Sequence, residues 1–195
     1  NSNLQSVINA LDNLNIEYIV SEDYKDIIKS DSIILPGVGT FESGILRLKE
    51  LKMFDILRNE VLRKNKPILG ICLGMQLLFE SSEESPGIEG LGLISGNVVS
   101  IPSSEKYKIP RIGWAESVLS VDFLGLNKNQ VVNFYYIHSF YVNPRDKKII
   151  TITSDESLTA AINQNNIYGC QFHPEKSSET GLSIIKNFIN LKILK

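Results

Sequence analysis

Cysteine and histidine are the scarce residues of this chain, two of each among 195. Cys72 lies in a run of small residues and Cys170 in a strand-like run, so they do not form a disulfide framework. Two distant histidines and two unclustered cysteines do not supply a zinc site, and no metal is expected. An excess of charge of one sign is also missing. Twenty Lys and Arg stand against 22 Asp and Glu, a formal net charge of −2. That excludes the basic footprint of a nucleic-acid binder and the basic face of a membrane-surface protein. Long apolar runs are absent. The longest, Ile68 to Phe79, is broken by Gln76 and is shorter than the roughly 18 residues of a membrane span. No internal repeat, low-complexity stretch or linker interrupts the chain. The first residues show no secretory pattern. With the cysteine usage, this sets the expectation of a reducing cytoplasm.

What is present suits one globular domain spanning residues 1–195, with 43% hydrophobic and 22% charged residues. Leu4, Val7, Ile8, Leu11 and Leu14 recur at helical spacing. A short strand is expected over Ile16–Val20. Buried strands are expected at Ser32–Pro36 and Pro67–Ile71, where apolar runs meet Pro-Gly or Gly signals. An amphipathic helical region spans Phe41 to Lys64 with a break near Lys52, and a helix is expected from Leu73 to Ser82. The second half is richer in short strand-like runs: Leu91–Ile94, Val98–Ile101, Ser117–Val121, Val131–His138, Lys148–Thr153, Leu158–Asn163 and Ile167–Phe172. A last helix is expected over Glu179–Leu194. Alternating strand and helix argues for an α/β fold. The expectation is three layers: an open, mostly parallel sheet with helices on both faces, and a smaller antiparallel strand layer.

Gly70-Ile-Cys72-Leu-Gly74 stands where a buried strand turns into a helix. That is the nucleophile-elbow arrangement, with Cys in place of Ser. Flanking glycines permit the tight turn, and a helix N-terminus favours a thiolate. The backbone N–H of Leu73 faces the same space and is a candidate oxyanion donor. An arbitrary cysteine is more often core packing; the elbow context reverses that balance here, whereas Cys170, with no helix after it, reads as core. The base is sought between two histidines. His173 lies in Gln171-Phe-His-Pro-Glu175, and Pro174 pushes it toward an extended backbone. Residues two apart in such a segment share a side, so Glu175 reaches the ring, fixes its tautomer and stabilises its charged form. His138 has no carboxylate two or three residues away and reads as structural or substrate-lining. The loop Gly37-Val38-Gly39 follows a buried strand and is placed beside the elbow, as a second oxyanion donor or as an ordinary turn. It has no phosphate-binding pattern.

Together these motifs resemble the class I (triad) glutamine amidotransferases, and within them the glutaminase subunits of imidazole glycerol phosphate synthases. Pro36-Gly-Val-Gly-Thr-Phe41, Gly70-Ile-Cys-Leu-Gly-Met-Gln-Leu-Leu-Phe79, Gly90-Leu-Gly-Leu-Ile94, Ile112-Gly-Trp114, Tyr136-Ile-His-Ser139 and Gln171-Phe-His-Pro-Glu-Lys-Ser177 follow in the family's order. The resemblance implies that Cys72 attacks the side-chain amide of L-glutamine and that His173 protonates the departing ammonia. It implies that Gln76 and the His138–Ser139–Phe140 backbone hold the substrate, and that a peptide flip at Gly37 and Val38 switches the site on. It implies no cofactor and a heterodimer with a cyclase subunit, a (β/α)8 barrel that receives the ammonia. Lys176, Trp114, Asn3 and Tyr135 are the implied interface residues. Members of the family open with a strand before their Asn-Leu, so about ten residues are expected ahead of Asn1. Arg111-Ile-Gly-Trp-Ala115 stands where His-Met-Gly-Trp-Asn is usual, and Phe140 stands for a common Tyr. The first departure keeps open a second destination for the ammonia, a sugar amidotransferase of surface-polysaccharide synthesis. A catalytically quiet docking module and a peptidase of related fold are the remaining alternatives.

Overall fold

The computed structural model describes residues 2–102, 109–154 and 158–191. The opening periodicity forms helix α1 (Ser2–Asn13), and a short α2 (Tyr24–Lys29) is capped by the Asp23 side chain. Strand β1 (Ile33–Gly37) leads into α3 (Phe41–Glu50) and α4 (Phe54–Leu62), which break at Lys52. Thr40 starts α3 with a capping box: its hydroxyl accepts from the Ser43 N–H, and the Ser43 hydroxyl accepts from the Thr40 N–H. Strand β2 (Ile68–Cys72) passes directly into the short α5 (Leu73–Leu77).

The remaining elements are β3 (Ser81–Ser82), β4 (Gly96–Ser100), β5 (Arg111–Leu119), β6 (Val131–His138), β7 (Phe140–Pro144), β8 (Ile150–Ser154), β9 (Thr159–Gln164), β10 (Ile167–Cys170) and α6 (Ser178–Asn190), with 3-10 turns at Lys147–Ile149 and Pro174–Lys176. A seven-stranded sheet runs β1-β2-β10-β9-β8-β5-β6, and a second sheet runs β3-β4-β7. β1, β2 and β10 are parallel neighbours, and every other described pairing of the large sheet is antiparallel. The antiparallel share is therefore larger than the alternation of the first half implies. The connections explain it. A two-helix crossover links β1 to β2, whereas the Asn165-Asn166 turn folds β9 straight back onto β10.

Two cores flank the sheet. Leu69 and Ile71 of β2 face α1 and α6, where Val7, Leu11, Ile184, Ile185 and Phe188 pack with the stacked Phe134 and Phe172 rings, 3.7 Å apart. Ile68 faces α3 and α4, with Phe41, Ile45, Leu57 and Val61. Alternation along β2 thus fills both faces, as the apolar run requires.

Several expected elements differ, and the strand expected over Ser117–Val121 runs instead from Arg111 to Leu119. Ile16–Val20 pairs with no described strand, and Ile19 is 75% exposed; apolar composition favours a strand only where a neighbour supplies the ladder. The helix after Cys72 stops at Leu77, because Glu80 and Glu83 donate their N–H groups to Gly96 and Val98 of β4. Leu91–Ile94 is not a strand: the Leu91 and Leu93 amides bond the Leu77 and Leu78 carbonyls left open where α5 ends. Strand β7 and helix α2 have no counterpart among the expected elements. The tail of the last helix beyond Leu191 lies outside the described residues. No helix among the described residues is long and apolar enough to cross a membrane.

Candidate active site

Cys72 is the joint between β2 and α5, with φ 56° and ψ −113°. Those angles match the first central residue of a type II′ turn, near +60° and −120°, a position that favours glycine. A cysteine there is strained, which is the signature of an elbow that projects its side chain from the sheet. The glycines around it make room for close backbone passes. A Cβ on Gly74 would lie 1.7 Å from the Leu35 carbonyl oxygen of β1, and one on Gly70 would lie 2.7 Å from the Met75 backbone.

The register of the parallel pair sets Gly37 opposite Cys72. The Gly37-Val38-Gly39 loop therefore leaves β1 level with Cys72, at the carboxyl end of the parallel strands. Its far end is fixed by the Thr40 cap and by the Glu84 carboxylate, which accepts from the Phe41 N–H at 2.7 Å.

His173 follows β10, the other parallel neighbour of β2. Its backbone is extended, φ −97° and ψ 96°, as the following Pro174 dictates. Its N–H donates to the Tyr135 carbonyl and its own carbonyl accepts from the Ser177 hydroxyl, so the backbone is held on both sides. The ring is 2% exposed. Nδ1 donates to Glu175 Oε1 at 2.8 Å, and the Cys72 sulfur stands within reach of the ring. Burial alone would push the imidazole down. The hydrogen bonds to Cys72 and Glu175 outweigh it and raise the pKa from 6.5 to about 9. The ring is thus charged near neutrality, between a sulfur in front and a carboxylate behind.

His138 behaves in the opposite way. Burial, with Arg111 and His173 nearby, lowers its pKa to about 4. Its Nδ1–H donates to the Phe140 carbonyl at 2.8 Å, which leaves Nε2 as an acceptor. The ring is thus a neutral part of the cavity wall. Arg111, the departure noted above, lies over the Tyr136 ring at 4.4 Å on the same inner face.

A cavity of about 300 Å³ opens over Cys72. Gly37, Val38, Gly39 and Leu73 line one side; His138, Ser139 and Phe140 line the other, with Gln76 and His173 between them and Asn3 at the rim. Gln76 is buried and donates to the Phe140 carbonyl at 3.0 Å and to Gln171 Oε1 at 3.1 Å. Trp114, Tyr135 and Lys176 lie outside the cavity lining. Trp114 pairs with Tyr135 across β5 and β6, edge-to-face at 6.0 Å. Lys176 donates to Asn3 at 2.8 Å. A larger groove of about 420 Å³ beside Glu80, Asn143 and Arg145 is lined by none of Cys72, His173 and Glu175. Cys170 is fully buried in the core, and burial pushes its thiol well up. Among the described residues no three His, Cys, Asp or Glu side chains are grouped to hold a metal.

One residue of the site went unmarked in the sequence reading. Gln171 is fully buried, and its Nε2 lies 3.7 Å from Cys72 Sγ. The signal was available: Gln171 stands two residues before His173 in the Gln-Phe-His-Pro-Glu motif.

A thiol on an elbow, a buried imidazole and an orienting carboxylate form the chemistry of acyl transfer through a thioester. Comparison with known proteins gives the family. The family model for glutamine amidotransferase class-I matches residues 1–191. Imidazole glycerol phosphate synthase subunit HisH 2 of Methanococcus maripaludis is 43% identical over 191 residues, covering 96% of this chain and 94% of its own. Subunit HisH of Bacillus cereus strain ATCC 14579 is 44% identical, covering 95% and 88%. Among solved structures, a glutamine amidotransferase superposes with a TM-score of 0.78 at 17% identity, covering 96% of this chain and 93% of that one. The glutaminase domain of Trypanosoma brucei CTPS gives 0.65 at 16% identity, covering 98% and 87%. The chain belongs to the class-I glutamine amidotransferases.

Proposed function

We propose that this chain is the glutaminase subunit of an imidazole glycerol phosphate synthase, with Cys72, His173 and Glu175 as its triad. The observation that carries the reading is the meeting of Cys72 and His173, about a hundred residues apart, with Glu175 2.8 Å behind the ring. Glutamine enters the cavity with its side-chain amide over Cys72. Sγ attacks the amide carbon, and the oxyanion that forms is received by the Leu73 N–H and a donor from Gly37-Val38-Gly39. His173 gives its proton to the leaving nitrogen, and ammonia departs from the thioester. The ring, now neutral, takes a proton from water; hydroxide attacks the thioester and glutamate leaves. Glu175 holds the tautomer and stabilises the imidazolium at each turn. Gln76 and the backbone of His138, Ser139 and Phe140 grip the substrate.

The ammonia passes to a cyclase barrel that closes the mouth of the cavity, in the reducing cytoplasm. The outer face of β5 and β6 suits such a cover. Trp114 is 55% exposed, Ile112 and Ile137 form the adjacent cross-strand pair, and the Lys176–Asn3 contact flanks them. Large aromatic side chains left exposed in a continuous apolar strip are the usual anchors of an interface. The Gly37-Val38 peptide, anchored at both ends, is the element that a partner would turn over to complete the oxyanion site.

The test is glutamate release from glutamine, with and without a ligand-loaded cyclase barrel. Activity should rise with the partner and vanish in Cys72→Ala. Full activity in Cys72→Ala, or peptide cleavage with no action on glutamine, overturns the reading.

A further inference from the structure

Gln171 lies behind the nucleophile, one side-chain layer beneath the cavity floor. It is fully buried, and its two polar ends face different partners. Oε1 accepts from Gln76 Nε2 at 3.1 Å, and Nε2 lies 3.7 Å from Cys72 Sγ. Gln76 fixes which end is which. Its own Nε2 already donates to the Phe140 carbonyl at 3.0 Å, so that end is a donor. A flipped Gln171 would set two NH2 groups against each other in a buried site. Its amide is therefore held with a donor on the sulfur.

The sulfur has a second neighbour, the Ile137 carbonyl at 3.6 Å. A thiol can donate to that carbonyl; a thiolate is repelled by it. Gln171 has the complementary preference, since an N–H donor favours the charged sulfur. The two groups, together with His173, define where Sγ rests above the elbow.

We propose that Gln171 is the positioning residue of the nucleophile: its side-chain N–H holds the Cys72 thiolate in place, and its carbonyl ties that contact to Gln76 in the cavity wall. The proposal deepens the glutaminase reading, on which the role of Cys72 as nucleophile rests. It also gives Gln76 a second duty. Any displacement of Gln76 by an occupant of the cavity is transmitted through one buried amide to the attacking atom.

The experiment is the rate of Cys72 alkylation by iodoacetamide as a function of pH, in the whole chain. Cys170, fully buried, does not compete. The titratable groups around this sulfur are His173 with Glu175 behind it, Cys170, and His138 and Glu84 of the cavity lining, with Arg111 beside His138. None is altered by a substitution at Gln171. Gln171→Met removes the donor at nearly constant volume. Gln171→Asn keeps an amide but shortens its reach. In both, alkylation at neutral pH should slow about fivefold, the worth of one modest hydrogen bond, and the profile should move to higher pH. Glutaminase kcat should fall with KM little changed. A packing role alone would lower the melting temperature and leave the alkylation profile where it was, and that result overturns the proposal. A second measurement needs no variant. In isotope-labelled wild-type protein, the Gln171 side-chain amide proton should shift through the same pH midpoint as alkylation. A stationary signal sinks the proposal, whatever the variants do. If the wild-type protein ignores glutamine, the functional reading fails, and the alkylation and amide data still decide the role of Gln171.

Discussion

The backbone of Cys72 makes a prediction that runs against a general rule. Replacing Ala by Gly normally destabilises a protein by about 0.5–1 kcal/mol, because glycine has more freedom to lose on folding. At residue 72 the order should invert. The observed angles, 56° and −113°, fall in a region where a Cβ is strained. A non-glycine residue held there costs about 1–3 kcal/mol. Cys72→Ala keeps that Cβ and Cys72→Gly removes it. After the entropic loss is subtracted, the Gly variant should be more stable than the Ala variant by about 0.5–2 kcal/mol. Neither variant has a nucleophile, so activity is not a readout. The readout is the urea midpoint of each variant at a common m-value. Cys170, in the ordinary strand β10, provides the control, and there Gly should be worse than Ala. If the Ala variant at residue 72 equals or exceeds the Gly variant, the strained-elbow argument is wrong.

Gly74→Ala places a Cβ 1.7 Å from the Leu35 carbonyl and must push β1 away from α5. Overpacking of this kind costs about 1–3 kcal/mol, and a shift of about 1 Å at the Gly37 loop should lower glutaminase kcat about a hundredfold; wild-type kcat in that variant would contradict the packing. His173 carries a pH prediction. Its folded pKa is raised from 6.5 to about 9, so the stability it contributes is complete below about 6.5 and is lost as the pH climbs through about 9. Denaturant midpoints should fall across that window, and Glu175→Gln should flatten the fall; an equally steep fall in the variant would refute the assigned cause. Trp114→Ala removes a side chain that is more than half exposed, so the melting temperature should hardly move. Stimulation by the cyclase barrel should weaken by tenfold or more, and an unchanged binding curve would remove Trp114 from the interface.

The sequence by itself determined the chemistry's local parts. Gly70-Ile-Cys72-Leu-Gly74 announced the elbow because only small residues tolerate the close passes that surround it. The spacing of His173 and Glu175 announced their contact, but the geometry differs from an extended run: His173 is extended, and a 3-10 turn over Pro174–Lys176 brings Glu175 back to the ring. The apolar run of β2 announced a strand buried on both faces. These are properties of a few adjacent residues, and they survive any rearrangement of the rest.

What only the tertiary structure decided depends on which segments become neighbours. Ile16–Val20 has strand composition and pairs with no described strand. The helix after Cys72 is cut short by the hydrogen bonds of Glu80 and Glu83 to Gly96 and Val98 of β4, a segment distant along the chain. The raised pKa of His173 and the lowered one of His138 arise in two imidazoles of the same cavity, and the difference lies in what stands beside each: a carboxylate and a sulfur for one, a cation and a burial shell for the other. Gln171 was visible as a letter in a motif, but its contact with Cys72 exists only because β10 lies beside β2 in parallel register. Local sequence sets backbone geometry and the reactive groups; the electrostatic state of those groups is set by long-range packing, which no short window contains.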